Sequence, residues 1–362
     1  MNKIHTRTRP LSRLLPAAAV AALCLGLQGC IDRDTPVSSG GSSSDDSTTC
    51  SNLPSSTTSY KGGDALGEEL TVSLNPSTLA YTITVDASLQ RTAATELSGT
   101  LTQVDGCTYS SSENGAVFTV GSGGVLQGGI ATVSGSSFTP LLAFSSTYSN
   151  ADTPTVFSDV AAIYNTIGVQ NDGTSDTSYG GSGRLRSAGT FQLCIDDSAD
   201  GGFITYDSSC TDTAKGYITW NSDRSAFDLY TTSSTATTGG TLTGSMVIGL
   251  VDSTYVPLQL VRESTSSVGM RLYAAQSSLT SGTADGDYVT IDSSGSNAEA
   301  TWSGTSFTHG SSTATLSYDS PVAGVVAASG TLAGYLIYSS GIYGFVPSSS
   351  SSGAAFELGL ID

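Results

Sequence analysis

The sharpest candidate for chemistry in this 362-residue sequence is the acidic run Asp196-Asp197-Ser198-Ala199-Asp200-Gly201, followed by Asp207. Asp196, Ser198 and Asp200 stand at positions one, three and five of a candidate loop, Gly201 at six, Phe203 at eight and Asp207 at twelve. A calcium loop offers its ligands in this order, because a hard cation needs several oxygens brought together by one tight glycine turn. Two departures count against the match. The twelfth residue is Asp, not the longer Glu that ligates with both oxygens, and the flanks read as strands rather than helices. The competing reading is an acidic turn between two strands. Calcium is the one cofactor the sequence suggests.

Other chemistry is hard to find. Of the two histidines, His5 lies in the N-terminal leader, which leaves His309 in Thr308-His309-Gly310, read as a turn residue. A histidine-based zinc site needs more than one imidazole. No G-x-S-x-G elbow, Walker A loop or dinucleotide fingerprint occurs. The 31 acidic residues include no pair that a motif singles out for glycoside hydrolysis. Trp220, Trp302 and the 16 Tyr could make a stacking face for a sugar, but each Trp sits in a strand-like alternation and is expected to pack in a core. The expectation is a protein without a catalytic site.

The first 29 residues set the compartment. Lys3, Arg7, Arg9 and Arg13 precede the apolar run Leu14 to Leu27, the layout of a secretory signal peptide. The run is shorter than the ~20 residues that span a bilayer. It ends in Leu27-Gln28-Gly29-Cys30, which resembles the bacterial lipobox. The resemblance implies cleavage before Cys30 and acylation there, with Gln28 a less common residue at its position. Several acyl chains hold a protein on a membrane where one would not. By the sorting logic of Gram-negative lipoproteins, Ile31 after the lipidated cysteine implies the outer membrane. Four cysteines then remain, Cys50, Cys107, Cys194 and Cys210, in an oxidising compartment. They allow three pairings, of which Cys50–Cys107 and Cys194–Cys210 are favoured over metal binding, since no C-x-x-C spacing occurs.

The whole chain has 13 Lys+Arg against 31 Asp+Glu, and four of the basic residues leave with the leader. A surface this acidic repels nucleic acid and anionic lipid, so neither is an expected partner. Residues 30–58 are expected to form a flexible, disordered Ser/Gly/Asp tether behind the lipidated Cys30. Beyond it the patterning is all-β. Glu69 to Leu74 and Tyr81 to Val85 alternate strictly about Asn75-Pro76-Ser77, a hairpin signature, and Gly128-Gly129 reads as a turn or bulge. Two β-rich units are expected: a small sandwich or barrel over 59–150, then a larger antiparallel barrel or sandwich over 151–362. One helical turn is expected, near Phe157–Ala162. No fixed repeat period is visible.

The lipobox, the tether, the early β-domain and the start Phe157-Ser158-Asp159-Val160-Ala161-x-x-Tyr164-Asn165 are together similar to a group of uncharacterised β-proteobacterial lipoproteins. The layout of a tether carrying β-domains also resembles surface lipoproteins such as the transferrin-binding lipoproteins, in architecture alone. What these resemblances imply is an outer-membrane, lipid-anchored binding or adhesion module for a protein, glycan or small apolar ligand. A structural envelope lipoprotein and a hydrolase are the alternatives. The calcium expectation has a direct check: titrating the demetallated protein with Ca²⁺ should release heat and raise the melting temperature. An unchanged melting temperature with no heat would leave Asp196 to Asp207 as an acidic turn.

Overall fold

The computed structural model describes residues 49–362, apart from 136, 154, 172–174, 197–201, 208–209, 211–212, 235 and 349–355. Cys30 and the tether up to position 48 therefore lie outside the described residues. The fold is nearly all-β, in three barrel-like sheets. Among the described residues no helix is long and apolar enough to cross a membrane.

The first sheet comprises β1 (Thr58–Asp64), β2 (Glu69–Leu74), β3 (Ala80–Ala87), β4 (Glu96–Thr100), β5 (Thr102–Asp105), β6 (Thr108–Ser110), β7 (Val117–Gly121), β8 (Val125–Ala131) and β9 (Phe138–Phe144). Its order is β4-β3-β2-β1-β9-β8-β7-β6-β5. The two edges, β4 and β5, are consecutive in the chain and separated only by buried Leu101. One strand thus pairs with β3 along its first half and β6 along its second, which closes the sheet and removes its free edges. The inward set is the one the alternation marked: Leu70, Val72, Leu74, Tyr81, Ile83 and Val85 are all buried. The turn between β2 and β3 forms because Asn75 Oδ1 accepts the N–H groups of Ser77 and Thr78 at 3.0 and 3.3 Å. Gly128 is no turn. It lies within β8, where a Cβ would sit 2.2 Å from Val117 O and 2.6 Å from the Phe118 ring.

The second expected unit holds two closed sheets rather than one. The earlier comprises β10 (Ala162–Asn171), β11 (Asp176–Leu185), β12 (Thr190–Asp196), β13 (Phe203–Ile204), β14 (Thr213–Asn221), β15 (Ala226–Thr232), β16 (Thr241–Val251), β17 (Thr254–Ser264) and β18 (Ser267–Ala275). Strand β10 pairs with both β11 and β18, and β13 adds a short parallel edge to β11. The later comprises β19 (Gly286–Asp292), β20 (Asn297–Ser303), β21 (Ser306–His309), β22 (Ser312–Tyr318), β23 (Val325–Gly330), β24 (Gly334–Ser339), β25 (Ile342–Pro347) and β26 (Glu357–Ile361), closed by β19–β26 pairing. All three barrels are therefore meanders in which first and last strands pair. A single topology recurs three times although the sequence shows no period, because closure constrains the pairing of strands and not their residues.

A 3-10 turn, Ser158–Val160, stands where the helical turn was expected. It plugs the second barrel: Phe157 and Val160 are buried with Phe227 and Tyr164, and Tyr164 Oη donates to Val160 O at 2.8 Å.

The barrels meet through their outer faces. Val125, Leu142 and Phe144 of the first, Val247, Val256, Leu258, Leu260 and Leu272 of the second, and Ile291, Ile337, Val346 and Leu358 of the third form one buried core. Strands here are buried on both faces, so β9, β16, β17 and β25 read as nearly continuous apolar runs instead of alternating. Gly249 permits the closest approach, since a Cβ there would lie 2.4 Å from the Phe144 ring.

Charges pin the same joint. The fully buried carboxylate of Glu69 lies 2.8 Å from Lys61 Nζ, 3.3 Å from Arg224 Nε and 3.8 Å from Arg262 Nη2, the last two borne by the second barrel. Arg262 Nη1 also donates to Gly67 O at 2.7 Å, in the turn between β1 and β2. In that turn Asp64 Oδ1 accepts the N–H groups of Leu66 and Glu68, while burial and then the charge of Glu68 hold the Asp64 carboxyl well above its usual range. Removing one member of such a network strands the others as uncompensated buried charges. Glu69→Ala should therefore cost about 3–5 kcal/mol, read as a shift in the urea midpoint. A change under ~1 kcal/mol would mean that water reaches the joint.

Candidate functional site

Each barrel interior is filled by its own side chains. The first packs Tyr60, Tyr81, Phe118 and their aliphatic neighbours. The third packs a ring of aromatics about Trp302, which is fully buried, with Phe307, Tyr338 and Tyr343 at centroid distances of 6.0 to 6.3 Å. Trp302 Nε1 donates to Tyr318 Oη at 2.8 Å. Trp220 is half-buried, edge-on to Phe227 at 5.0 Å. Both tryptophans belong to packed clusters, as their alternation suggested.

Two interiors keep a polar end. In the second barrel Arg271 is buried, and its partners are neutral. Nε donates to Tyr179 Oη at 2.7 Å, Nη1 to Gln259 Oε1 at 3.3 Å and Nη2 to Gln170 Oε1 at 3.2 Å. The guanidinium carbon lies 4.7 Å above the Tyr179 ring. Burial acts against its charge, but Tyr179 and Tyr273 more than offset this, and the pKa lies above the ordinary arginine value. The neighbouring cavity, lined by Leu193, Ile218, Met246, Gln259 and Tyr273 among others, measures 30 Å³. That is room for a water or two, far below the ~300 Å³ of a small ligand pocket. Nothing in the sequence marked Arg271 except its isolation in the apolar run of β18.

In the third barrel the residue expected in a turn, His309, ends strand β21 instead, and its side chain reaches the barrel mouth. Nε2 lies 3.3 Å from Glu357 Oε2, and Tyr343 Oη donates to Glu357 Oε1 at 2.5 Å. Alternation explains the placement: Phe307, two residues earlier, is buried inside the barrel. Burial raises the Glu357 carboxyl above its usual range, with His309 and the Tyr343 hydrogen bond acting the other way. Thr290 Oγ1 brings a hydroxyl to 3.4 Å from the same Nε2. A nucleophile–histidine–acid relay needs the hydroxyl on one ring nitrogen and the carboxylate on the other. Here both fall on one nitrogen, so the cluster is not arranged as such a relay.

The remaining sequence-predicted positions sort as follows. Cys50 is bonded to Cys107 and Cys194 to Cys210, with S–S distances of 2.08 and 2.03 Å, which is the favoured pairing. Ser198 and Asp200 lie outside the described residues. Asp196 closes β12, and Asp207 lies beyond β13. Among the described residues no three His, Cys, Asp or Glu side chains gather as a metal site.

A carboxyl whose pKa is raised by folding favours the folded state most at low pH, and that contribution is lost as pH climbs through the raised value. Relative to wild type, Glu357→Gln should therefore gain stability as pH rises from the ordinary carboxylate range towards neutrality, measured by urea unfolding at each pH. A pH-independent difference would mean that the carboxyl is solvated. Compared with known proteins, the chain matches no protein family, no curated protein and no solved structure.

Proposed function

We propose that this chain is a lipid-anchored outer-membrane protein whose three-barrel body is a binding module, carried on a tether and recognising its partner with its outer surface. The observation that carries this reading is the place of the first disulfide. The polar segment after Cys30 arrives at Cys50, and Cys50 is bonded to Cys107, in the turn between β5 and β6. Tension along the tether would pass through a covalent bond into the barrel wall. It would bypass β1, whose ladder with β2 and β9 would otherwise be peeled apart from its end. A body held in this way suits a module that must stay attached while its partner pulls. The packed interiors support the emphasis on the outer surface, since the cavity found within the second barrel, at 30 Å³, is far below ligand size.

The reading is tested by fractionating cells that carry the wild-type chain or Cys30→Ala, together with protease shaving of intact cells. The wild type should sediment with the outer membrane and the variant should not. The body should be degraded by external protease while a periplasmic control survives. A Cys30→Ala variant that stays on the membrane after signal cleavage would overturn the anchor. A protected body would place it in the periplasm and confine its partners to the envelope.

A further inference from the structure

Basic residues are scarce in this chain, and most of those in the described residues are committed. Lys61, Arg91, Arg224 and Arg262 pair with Glu68, Glu69, Asp86 or Asp228, and Arg271 is buried inside the second barrel. The remaining three, Arg184, Arg186 and Lys215, lie together. Arg184 faces Gln192 across β11 and β12, and Gln192 faces Lys215 across β12 and β14, so the three occupy one row on the barrel wall. Residues directly opposed on one face stand about 5 Å apart, which places the two cations on either side of the Gln192 amide. Leu185 and Leu193 are buried in the barrel interior, so alternation turns Arg184, Gln192 and Lys215 outward. Arg186, two residues beyond Arg184, shares that face, and its Nη2 leans to Gln192 Oε1 and Tyr206 Oη, each at a long 3.4 Å.

Two further observations point to a ligand. Arg184 and Arg186 line a surface groove of 450 Å³ whose other walls are Ala161, Ala162, Ile163, Leu185 and Ser187. Within the fold Arg186 Nη1 is buried and finds no hydrogen-bond partner among the described residues. A buried, unanswered guanidinium N–H is costly, and the cost is removed by an oxygen acceptor, best of all a charged one. The guanidinium fork matches a two-oxygen anion, and a second arginine two residues away on the same face adds another fork.

We propose that this groove on the outer wall of the second barrel binds a small multivalent oxyanion, of phosphate or polycarboxylate type. Arg186 supplies the buried donor, Arg184 the exposed fork and Lys215 a flanking charge. The apolar wall of Ala161, Ala162 and Ile163 accommodates the carbon skeleton to which the anionic group is attached. In a chain of net charge -18 this face is the exception, and an anion is steered to it by the repulsion of the surfaces around it. The inference rests on the binding-module reading and deepens it, yet the two fail separately, since fractionation tests the anchor and titration tests the groove.

The experiment is isothermal titration of the purified full chain with inorganic phosphate and, in a second arm, with citrate, both at fixed ionic strength set by chloride. At least one should bind saturably at a single site. Arg186→Gln should weaken that binding about tenfold. Lys215→Gln should weaken it less, and both variants should keep the wild-type melting temperature in chloride. Saturation by phosphate alone assigns a phosphate ligand, and saturation by citrate alone a carboxylate one. No saturable heat with either anion, or equal binding by wild type and Arg186→Gln, would overturn the proposal.

Discussion

The structure depends on burying the outer faces of its barrels. A closed barrel has no free edge, but its outer wall still has to meet either water or another surface. Here three walls meet around one dry core built from Phe144, Leu258, Leu272, Ile291, Val346 and their neighbours. Strands such as β16 and β17 are therefore apolar on both faces, and Gly249 is bare because the ring of Phe144 occupies the space of its side chain. Ions seal one margin of this core, where Glu69 from the first barrel is held by Arg224 and Arg262 from the second. Such a network adds little net stability over an apolar contact, but it penalises misdocking heavily, since any slip strands a charge.

The same logic accounts for the polar ends of the interiors. Arg271 among Tyr179, Gln259 and Gln170, and Glu357 between Tyr343 and His309, are buried ionisable groups held by directed hydrogen bonds. The cavity beside Arg271 is too small for a substrate, and the imidazole of His309 presents one nitrogen to both of its partners.

Among the described residues the barrel interiors are packed with side chains, which turns attention to the walls. The plug at Phe157 to Val160 fills the second barrel next to the groove of Arg184 and Arg186. The bond between Cys50 and Cys107 ties the segment that precedes β1 to the first barrel.

By itself the sequence determined what is local. Strict alternation at Glu69 to Leu74 and Tyr81 to Val85 made strands, the Asn75 side chain made their turn, and the four cysteines beyond Cys30 paired as their spacing favoured. The row of cations was half legible too, because Gly183-Arg184-Leu185-Arg186 puts two arginines on one face of a strand. Tertiary structure decided the rest. Residues 151–362 read as one unit because a strand with both faces buried looks alike inside a large barrel and between two small ones. His309 beside Gly310 read as a turn because its partner, Glu357, is distant in sequence and reached only when β26 closes on β19. Pairing across a closed sheet joins residues with no fixed separation along the chain, so no local pattern can announce which charge will meet which.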